Sequence, residues 1–212
     1  MKTTIYFVRH GQSMANLRKR VAGTFDLGLT KTGLKQGKAV AKYFKNKKID
    51  AVYSSHLPRA ETTAMFTAKQ KGLALNIEKD LMEFNFGSFY EGMVDVKAFR
   101  HDPQLFRKLL HSTEFVNCVF PEDGETVLGC CERMYKAIRS IGAKHSGQTV
   151  VVVGHSCALR FFLAYVKNGY SLDGAKTNSP TNNASITTLE VEGDEVKIVE
   201  VGYVGHLKDV TI

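Results

Sequence analysis

Thr4-Ile5-Tyr6-Phe7-Val8-Arg9-His10-Gly11-Gln12-Ser13-Met14-Ala15-Asn16 decides the reading of this 212-residue chain. Ile5 to Val8 is a run of β-branched and aromatic residues, the pattern of a short strand buried on both faces. It leads straight into Arg9-His10-Gly11. Open α/β sheets hold their ligands beyond the carboxyl ends of the strands. An arginine and a histidine delivered there, with a glycine that lets the backbone turn, suit an anion. A solvated Arg-His pair in a loop is the competing reading of those three residues alone.

Similar strand ends recur downstream. Ala51 to Ser55 reads as a second strand, followed by Pro58 in the first turn of a helix and by Arg59. Leu73 to Ile77 reads as a third, followed by a glycine- and aromatic-rich loop that carries Glu83. Thr149 to Gly154 is a buried strand, with His155 at the start of a helix from Ser156 to Lys167. Thr30 is placed to cap a helix whose apolar positions Leu34, Ala41 and Phe44 share a face with Gly37. The next helix carries the small residues Ala60, Ala64, Thr67 and Ala68, suited to close packing. Thr126 is placed to cap a long one with Val127, Met134, Ile138 and Ile141 inward. Ala184 to Val191 and Glu195 to Val201 alternate across Gly193-Asp194, a hairpin pattern. Strands alternating with helices predict a three-layer α/β/α sandwich, its sheet mainly parallel, with the hairpin at one edge. The chain is expected to be a single domain over 1–212. Residues 93–122, the least regular stretch, are expected to form a cap insertion over the site, with a short helix from Asp102-Pro103 to Leu110.

Composition narrows the class. With 43% hydrophobic and 24% charged residues the chain reads as ordinary globular. No apolar run approaches the roughly 20 residues of a spanning helix, and Arg9 and His10 interrupt the first apolar run, against a secretory signal. The four cysteines show no Cys-x-x-Cys spacing, and adjacent Cys130 and Cys131 read as helix residues rather than a disulfide. A reduced, cytoplasmic protein is the expectation. The formal charge is +8, from 29 basic against 21 acidic residues. Part of the excess (Lys31, Lys35, Lys38, Lys42, Lys45, Lys47 and Lys48) falls on one helix and its end, and reads as a solvated face. No nucleic-acid-binding module or aromatic interleaving accompanies it, so neither nucleic acid nor membrane is an expected partner. The excess still favours encounter with anionic substrates. The oligomeric state is left open.

Arg9, Arg59, His10, His155 and Glu83 at strand ends make a phosphate pocket with a nucleophile. Guanidinium forks fit phosphate oxygens. A neutral imidazole attacks phosphorus, and nearby cations help to keep it neutral. A carboxylic acid protonates the departing oxygen.

Six stretches in order carry a resemblance: Arg9-His10-Gly11-Gln12-Ser13 with Asn16; Asp26-x-x-Leu29-Thr30-x-x-Gly33; Ser54-Ser55-x-Leu57-x-Arg59-Ala60-x-Thr62; Leu81-x-Glu83-x-x-x-Gly87 with Glu91-Gly92; Gly124-Glu125-Thr126; and Gly154-His155 with Arg160. Together the chain resembles the histidine phosphatase superfamily (phosphoglycerate mutase-like). The resemblance implies His10 as nucleophile, Arg9, Asn16, Arg59 and His155 as phosphate-binding residues, and Glu83 as proton donor. Gln12, Ser13, Gly23, Thr24 and Ser156 join them as candidate substrate contacts. No metal and no cofactor is expected. Two departures, Glu61 where the family commonly has Gln and Pro121 one position further from Gly124, concern local loop geometry.

The resemblance leaves mutase against phosphatase open. Cofactor-dependent phosphoglycerate mutases carry basic residues after the proton donor, whereas Phe84-Asn85-Phe86 come after Glu83 in this chain, which is also shorter. A phosphomonoester hydrolase acting on small anionic phosphometabolites is favoured, with mutase-type phosphotransfer as the alternative. Arg100, His101, Arg107 and Lys108 are available on the cap insertion for a second anionic group, although a solvated surface is the plainer reading of them. Three rivals stand further off. Gly154-His155-Ser156-Cys157-Ala158 nearly matches a serine-hydrolase nucleophile elbow, with Asp173 or Asp194 and His206 to complete a triad, but Ala158 replaces the final glycine and no oxyanion stretch appears. A metal site from His10, Glu83 and His155 would place a cation beside two arginines. A non-catalytic phosphoprotein-binding module would leave His10 and Glu83 without a task.

Overall fold

Thr149–Gly154 is the strand around which the molecule is built, because its valines point to both faces of the sheet in alternation. The computed structural model describes residues 1–87, 123–168 and 182–210. The described strands are β1 (Thr3–Arg9), β2 (Ala51–Ser54), β3 (Leu75–Ile77), β4 (Thr149–Gly154), β5 (Ile186–Glu192) and β6 (Glu195–Tyr203). They form one six-stranded sheet in the order β3-β2-β4-β1-β5-β6. Neighbours from β3 to β1 run parallel, and β5 and β6 are antiparallel. The expected edge hairpin is therefore present.

Five α-helices are described: α1 (Met14–Leu17), α2 (Lys31–Phe44), α3 (Pro58–Lys71), α4 (Val127–Lys144) and α5 (Ser156–Lys167). Val150 and Val152, with Ile5 and Phe7 of β1, pack against Met134 and Ile138 of α4 and Leu159 and Phe162 of α5. Val151 and Val153, with Val8 and Val52, pack against Val40 and Phe44 of α2 and Ala60 and Ala64 of α3. Two apolar layers on two faces of a sheet make the α/β/α sandwich. The lysines at 31, 35, 38 and 42 lie exposed along α2, as a solvated face would. Cys130 and Cys131 are buried, free residues of α4.

Three local expectations need correction. Leu34 is 37% exposed. The buried face of α2 is instead Gly33, Gln36, Gly37, Val40, Ala41 and Phe44, rotated toward the glycines because close backbone approach lies on that side. β3 starts at Leu75 rather than Leu73, since the Leu73 N–H is spent on the Ala68 carbonyl (3.0 Å) where α3 ends at the left-handed Gly72. β5 starts at Ile186 rather than Ala184, because Ala184 takes a left-handed φ of +58°. Met14–Leu17, given no element from the sequence, form the single turn α1, closed by a capping box in which Asn16 replaces the usual acid. The expected cap insertion at 93–122 lies outside the described residues, as do Glu91 and Asp173.

Candidate active site

Strand register alone brings the two histidines together. Arg9 of β1 pairs with Gly154 of β4, so the next residues, His10 and His155, leave the sheet side by side. The His10 N–H donates to the Gly154 carbonyl (2.9 Å), and the ring centroids lie 5.2 Å apart. Both side chains are buried. His10 Nδ1 lies 2.7 Å from the Gly11 carbonyl. A carbonyl only accepts, so Nδ1 carries the proton and Nε2 presents its lone pair. Neither ring nitrogen of His155 has a hydrogen-bond partner among the described residues.

Burial, with Arg59 and then Arg9 nearby, holds His10 well below the usual imidazole range, against a smaller opposing effect of the Gly11 carbonyl. His155 is pushed the same way by burial, Arg59, His10, Arg9 and Arg133. Both imidazoles are therefore neutral at physiological pH. Burial also lowers Arg9, and Glu83 opposes that shift.

The turn after β1 is fixed from three sides. The Gly11 N–H donates to Thr63 Oγ1 (3.1 Å), whose hydroxyl donates to the Arg59 carbonyl (2.8 Å). Gly11 and Gly33 meet so closely that a Cβ on Gly11 would stand 2.5 Å from the Gly33 carbonyl oxygen. The Gln12 N–H donates to Gln36 Oε1 (2.7 Å), and Gln12 Oε1 accepts from the Thr30 hydroxyl (2.8 Å). Ser13 is the N-cap of α1, its Oγ accepting from the Asn16 N–H (3.2 Å). Thr62, named in the motif, is exposed, whereas its neighbour Thr63 is buried and joins the site's frame.

Arg59, at the start of α3, is 1% exposed, and its terminal nitrogens are committed to the loop before it. Nη1 bonds Asp26 Oδ2 (2.9 Å) and the Phe25 carbonyl (3.1 Å), and Nη2 bonds the Gly23 carbonyl (2.6 Å). Nε has no partner among the described residues. Arg59 thus acts on the two histidines by charge while its fork anchors residues 23–26, which carry Thr24. A buried pair of this kind breaks at a cost of about 3–5 kcal/mol when one partner is removed.

Glu83 sits across the start of α5. Oε1 accepts from the N–H groups of Phe84 (2.9 Å) and Ala158 (2.8 Å), and Oε2 from those of Ser156 and Cys157 (3.2 Å each). His155, the N-cap residue, offers no side-chain cap, so this carboxyl closes the helix from another segment. Arg133 holds that segment in turn. It donates to the carbonyls of Asp80 (2.6 Å) and Met82 (3.1 Å) and pairs with Glu125, which accepts from the Asn85 N–H (3.0 Å).

Among the described residues, the serine-hydrolase triad with Asp194 does not assemble. Asp194 pairs with Arg139 of α4, while His206 donates from Nε2 to the Ala184 carbonyl (3.0 Å) and lies against Tyr43 of α2, so the two occupy opposite sides of the sheet. Among the described residues, no three His, Cys, Asp or Glu side chains are grouped to hold a metal ion.

Sequence reasoning placed Arg9, His10, Arg59, His155, Glu83 and Asn16 in one region, and the structure brings strand β1, the starts of α1, α3 and α5 and the Glu83 segment together there. Thr63, Gln36, Arg133 and Asn183 were not singled out. For Thr63 and Gln36 a partial signal was available, as buried polar residues on otherwise apolar helix faces. Arg133 is half-buried on α4 and Asn183 lies in a turn, and neither carries such a mark.

A neutral buried imidazole pair beside two guanidiniums suits an anion such as phosphate. A family model described as the histidine phosphatase superfamily (branch 1) matches residues 5–203. The chain is 30% identical to Phosphoglycerate mutase-like protein 4 of Arabidopsis thaliana over 208 residues, covering 97% of this chain and 87% of that one. It is also 30% identical to the Metal-independent phosphoserine phosphatase of the same plant over 210 residues, covering 98% and 84%. The solved structure of Bacillus stearothermophilus YhfR superposes with a TM-score of 0.85 at 27% identity, covering 97% of this chain and all (100%) of that one. This chain belongs to the histidine phosphatase superfamily, and its relatives there are phosphatases and phosphoglycerate mutase-like proteins.

Proposed function

We propose that the protein is a phosphomonoester hydrolase that works through a phosphohistidine on His10 and needs no metal. One observation carries the reading. His10 is neutral, its Nδ1–H is anchored on the Gly11 carbonyl, and its Nε2 lone pair is left for attack beside the charges of Arg9 and Arg59. His10 Nε2 attacks phosphorus, the P–O bond to the leaving group breaks, and Glu83 supplies the proton to the departing oxygen. Water then attacks the phosphoimidazole, Glu83 takes a proton from it, and phosphate leaves with His10 restored. His155 donates to a phosphate oxygen in both steps. Since both Glu83 oxygens accept two N–H groups at rest, protonation displaces one of those contacts. Asn16, Arg9 and Arg59 supply the remaining attraction for phosphate, and Gln12, Ser13, Gly23, Thr24 and Ser156 frame the pocket.

The three residues after Glu83 favour hydrolysis over mutase chemistry. Phe84 and Phe86 are buried in the core, and Asn85 is tied to the Asp123 carbonyl and the Gly87 N–H. None of these three positions offers a cation to the far end of a phospho-acid.

The test is to trap the label from a radiolabelled phosphomonoester in exhaustively chelated buffer. An acid-labile, base-stable adduct mapping to His10, lost in His10→Ala together with phosphate release, is the expected result. Label on Ser156, or activity restored only by zinc or magnesium, overturns it. Phosphoglycerate mutase turnover exceeding hydrolysis would overturn the hydrolase assignment alone.

A further inference from the structure

Asn183 lies outside every motif that pointed to the site, yet it touches two of that site's parts. Its Nδ2 donates one hydrogen to Asn16 Oδ1 (2.9 Å) and the other to the main-chain carbonyl of His10 (3.2 Å). Both amide orientations are forced by chemistry. The His10 carbonyl only accepts, so the Asn183 atom facing it is nitrogen. Asn16 Oδ1 also faces the Ser13 main-chain N–H (3.1 Å), so the Asn16 atom there is oxygen. Two donors fill the two lone pairs of that oxygen, and the Asn16 NH2 is left as the end that points elsewhere.

The backbone that delivers Asn183 is held in an uncommon shape. Ala184 has φ +58°, the left-handed region that alanine rarely adopts. Its N–H donates to the same His10 carbonyl (3.2 Å), and its carbonyl accepts from His206 Nε2 (3.0 Å). The Ser185 N–H closes the turn on the Asn182 carbonyl (3.1 Å). Residues 183 and 184 therefore clasp the nucleophile's own carbonyl while the Asn183 side chain spans to α1.

We infer that Asn183 is a positioning residue that fixes the Asn16 carboxamide with its NH2 toward the phosphate pocket, and so sets affinity for the phosphoryl group. The inference rests on the reading of Asn16 as a phosphate ligand. A flipped Asn16 amide would set NH2 against two donors and turn its oxygen on an anion. Asn183→Asp drives that flip, because an acceptor then faces both the Asn16 oxygen and the His10 carbonyl.

The experiment is a double-mutant cycle on the full chain. It reads aryl phosphate hydrolysis, the inhibition constant of inorganic phosphate, and thermal unfolding for Asn16→Ala, Asn183→Ala, Asn183→Asp and the double alanine variant. Loss of one hydrogen bond to phosphate is expected to weaken binding about tenfold. Asn16→Ala and Asn183→Asp should each raise the phosphate inhibition constant and KM by about that factor, with a smaller change in kcat, and Asn183→Ala should raise them about threefold. In the Asn16→Ala background, Asn183→Ala should change the inhibition constant less than about twofold. A merely structural Asn183 would lower the melting temperature and keep its full effect on phosphate in that background, which overturns the inference. If Asn16→Ala weakens phosphate and neither Asn183 variant does, the inference fails and the reading of Asn16 stands. If Asn16→Ala leaves phosphate affinity intact, both fail. Should Asn183→Ala not fold, Asn183→Asp in the two backgrounds gives the same comparison.

Discussion

His10 and His155, to which the proposed mechanism gives the chemistry, are also an acid liability. Each is held neutral by burial and by neighbouring guanidiniums, well below the usual imidazole range. In the unfolded chain each titrates near about 6.5. As pH falls through that value, the unfolded state binds protons that the native state refuses, so the native state loses stability. The slope reaches up to about 1.4 kcal/mol per pH unit for each histidine, and His206, lowered chiefly by burial, adds in the same sense. The urea midpoint should therefore fall from about pH 6.5 towards 5, and His155→Gln should flatten that fall. An undiminished slope in His155→Gln would mean that this imidazole is charged in the native protein.

At the scale of elements, Glu83, the proposed proton donor, is also part of helix architecture. The N–H groups of Ser156, Cys157 and Ala158 have this carboxyl as their partner, so a substitution made to test proton donation also uncaps α5. Glu83→Gln turns an NH2 toward main-chain donors and should cost about 1–3 kcal/mol of stability. General acid catalysis contributes about 10²–10⁴-fold, and only where the leaving group needs a proton. Glu83→Gln should thus lower the melting temperature for every substrate condition, yet slow an alkyl phosphate far more than an aryl phosphate. Equal losses on both substrates would leave Glu83 with the helix-capping role alone. An unchanged melting temperature would show that the carboxyl does not rest on α5 in solution.

Elements were legible where local signals agreed with tertiary demand. Thr149–Gly154 and Ser156–Lys167 coincide with their expected bounds, because an uninterrupted valine run and a clean helical face leave one solution each. Leu34 misled because apolar spacing placed Gly37, Ala41 and Phe44 on the contact face correctly but cannot show that Gly33 and Gln36, rather than a leucine, complete it. The site's charged and imidazole residues were readable at strand ends. Its frame was not, since Asn183, Thr63 and Arg133 each join the site through at least one partner 52 or more residues away, as in Asn183 to Asn16, Gly11 to Thr63 and Arg133 to Asp80. Nothing local marks such a pairing.

For the whole molecule, the pairing of Arg9 with Gly154 has a consequence in time. The helices close through contacts about four residues apart and form within about a microsecond. The two histidines meet only when the first strand finds the fourth, across most of the chain, and loop closure over such separations is what slows folding. During refolding from urea, the helical circular dichroism signal should recover first. Phosphate-releasing activity should return later, with the cooperative phase that completes the sheet. Simultaneous recovery of the two signals would show that the central strands pair at the outset. A nascent or partly unfolded chain would accordingly be helical yet inert, with His10 and His155 kept apart until the centre of the sheet closes.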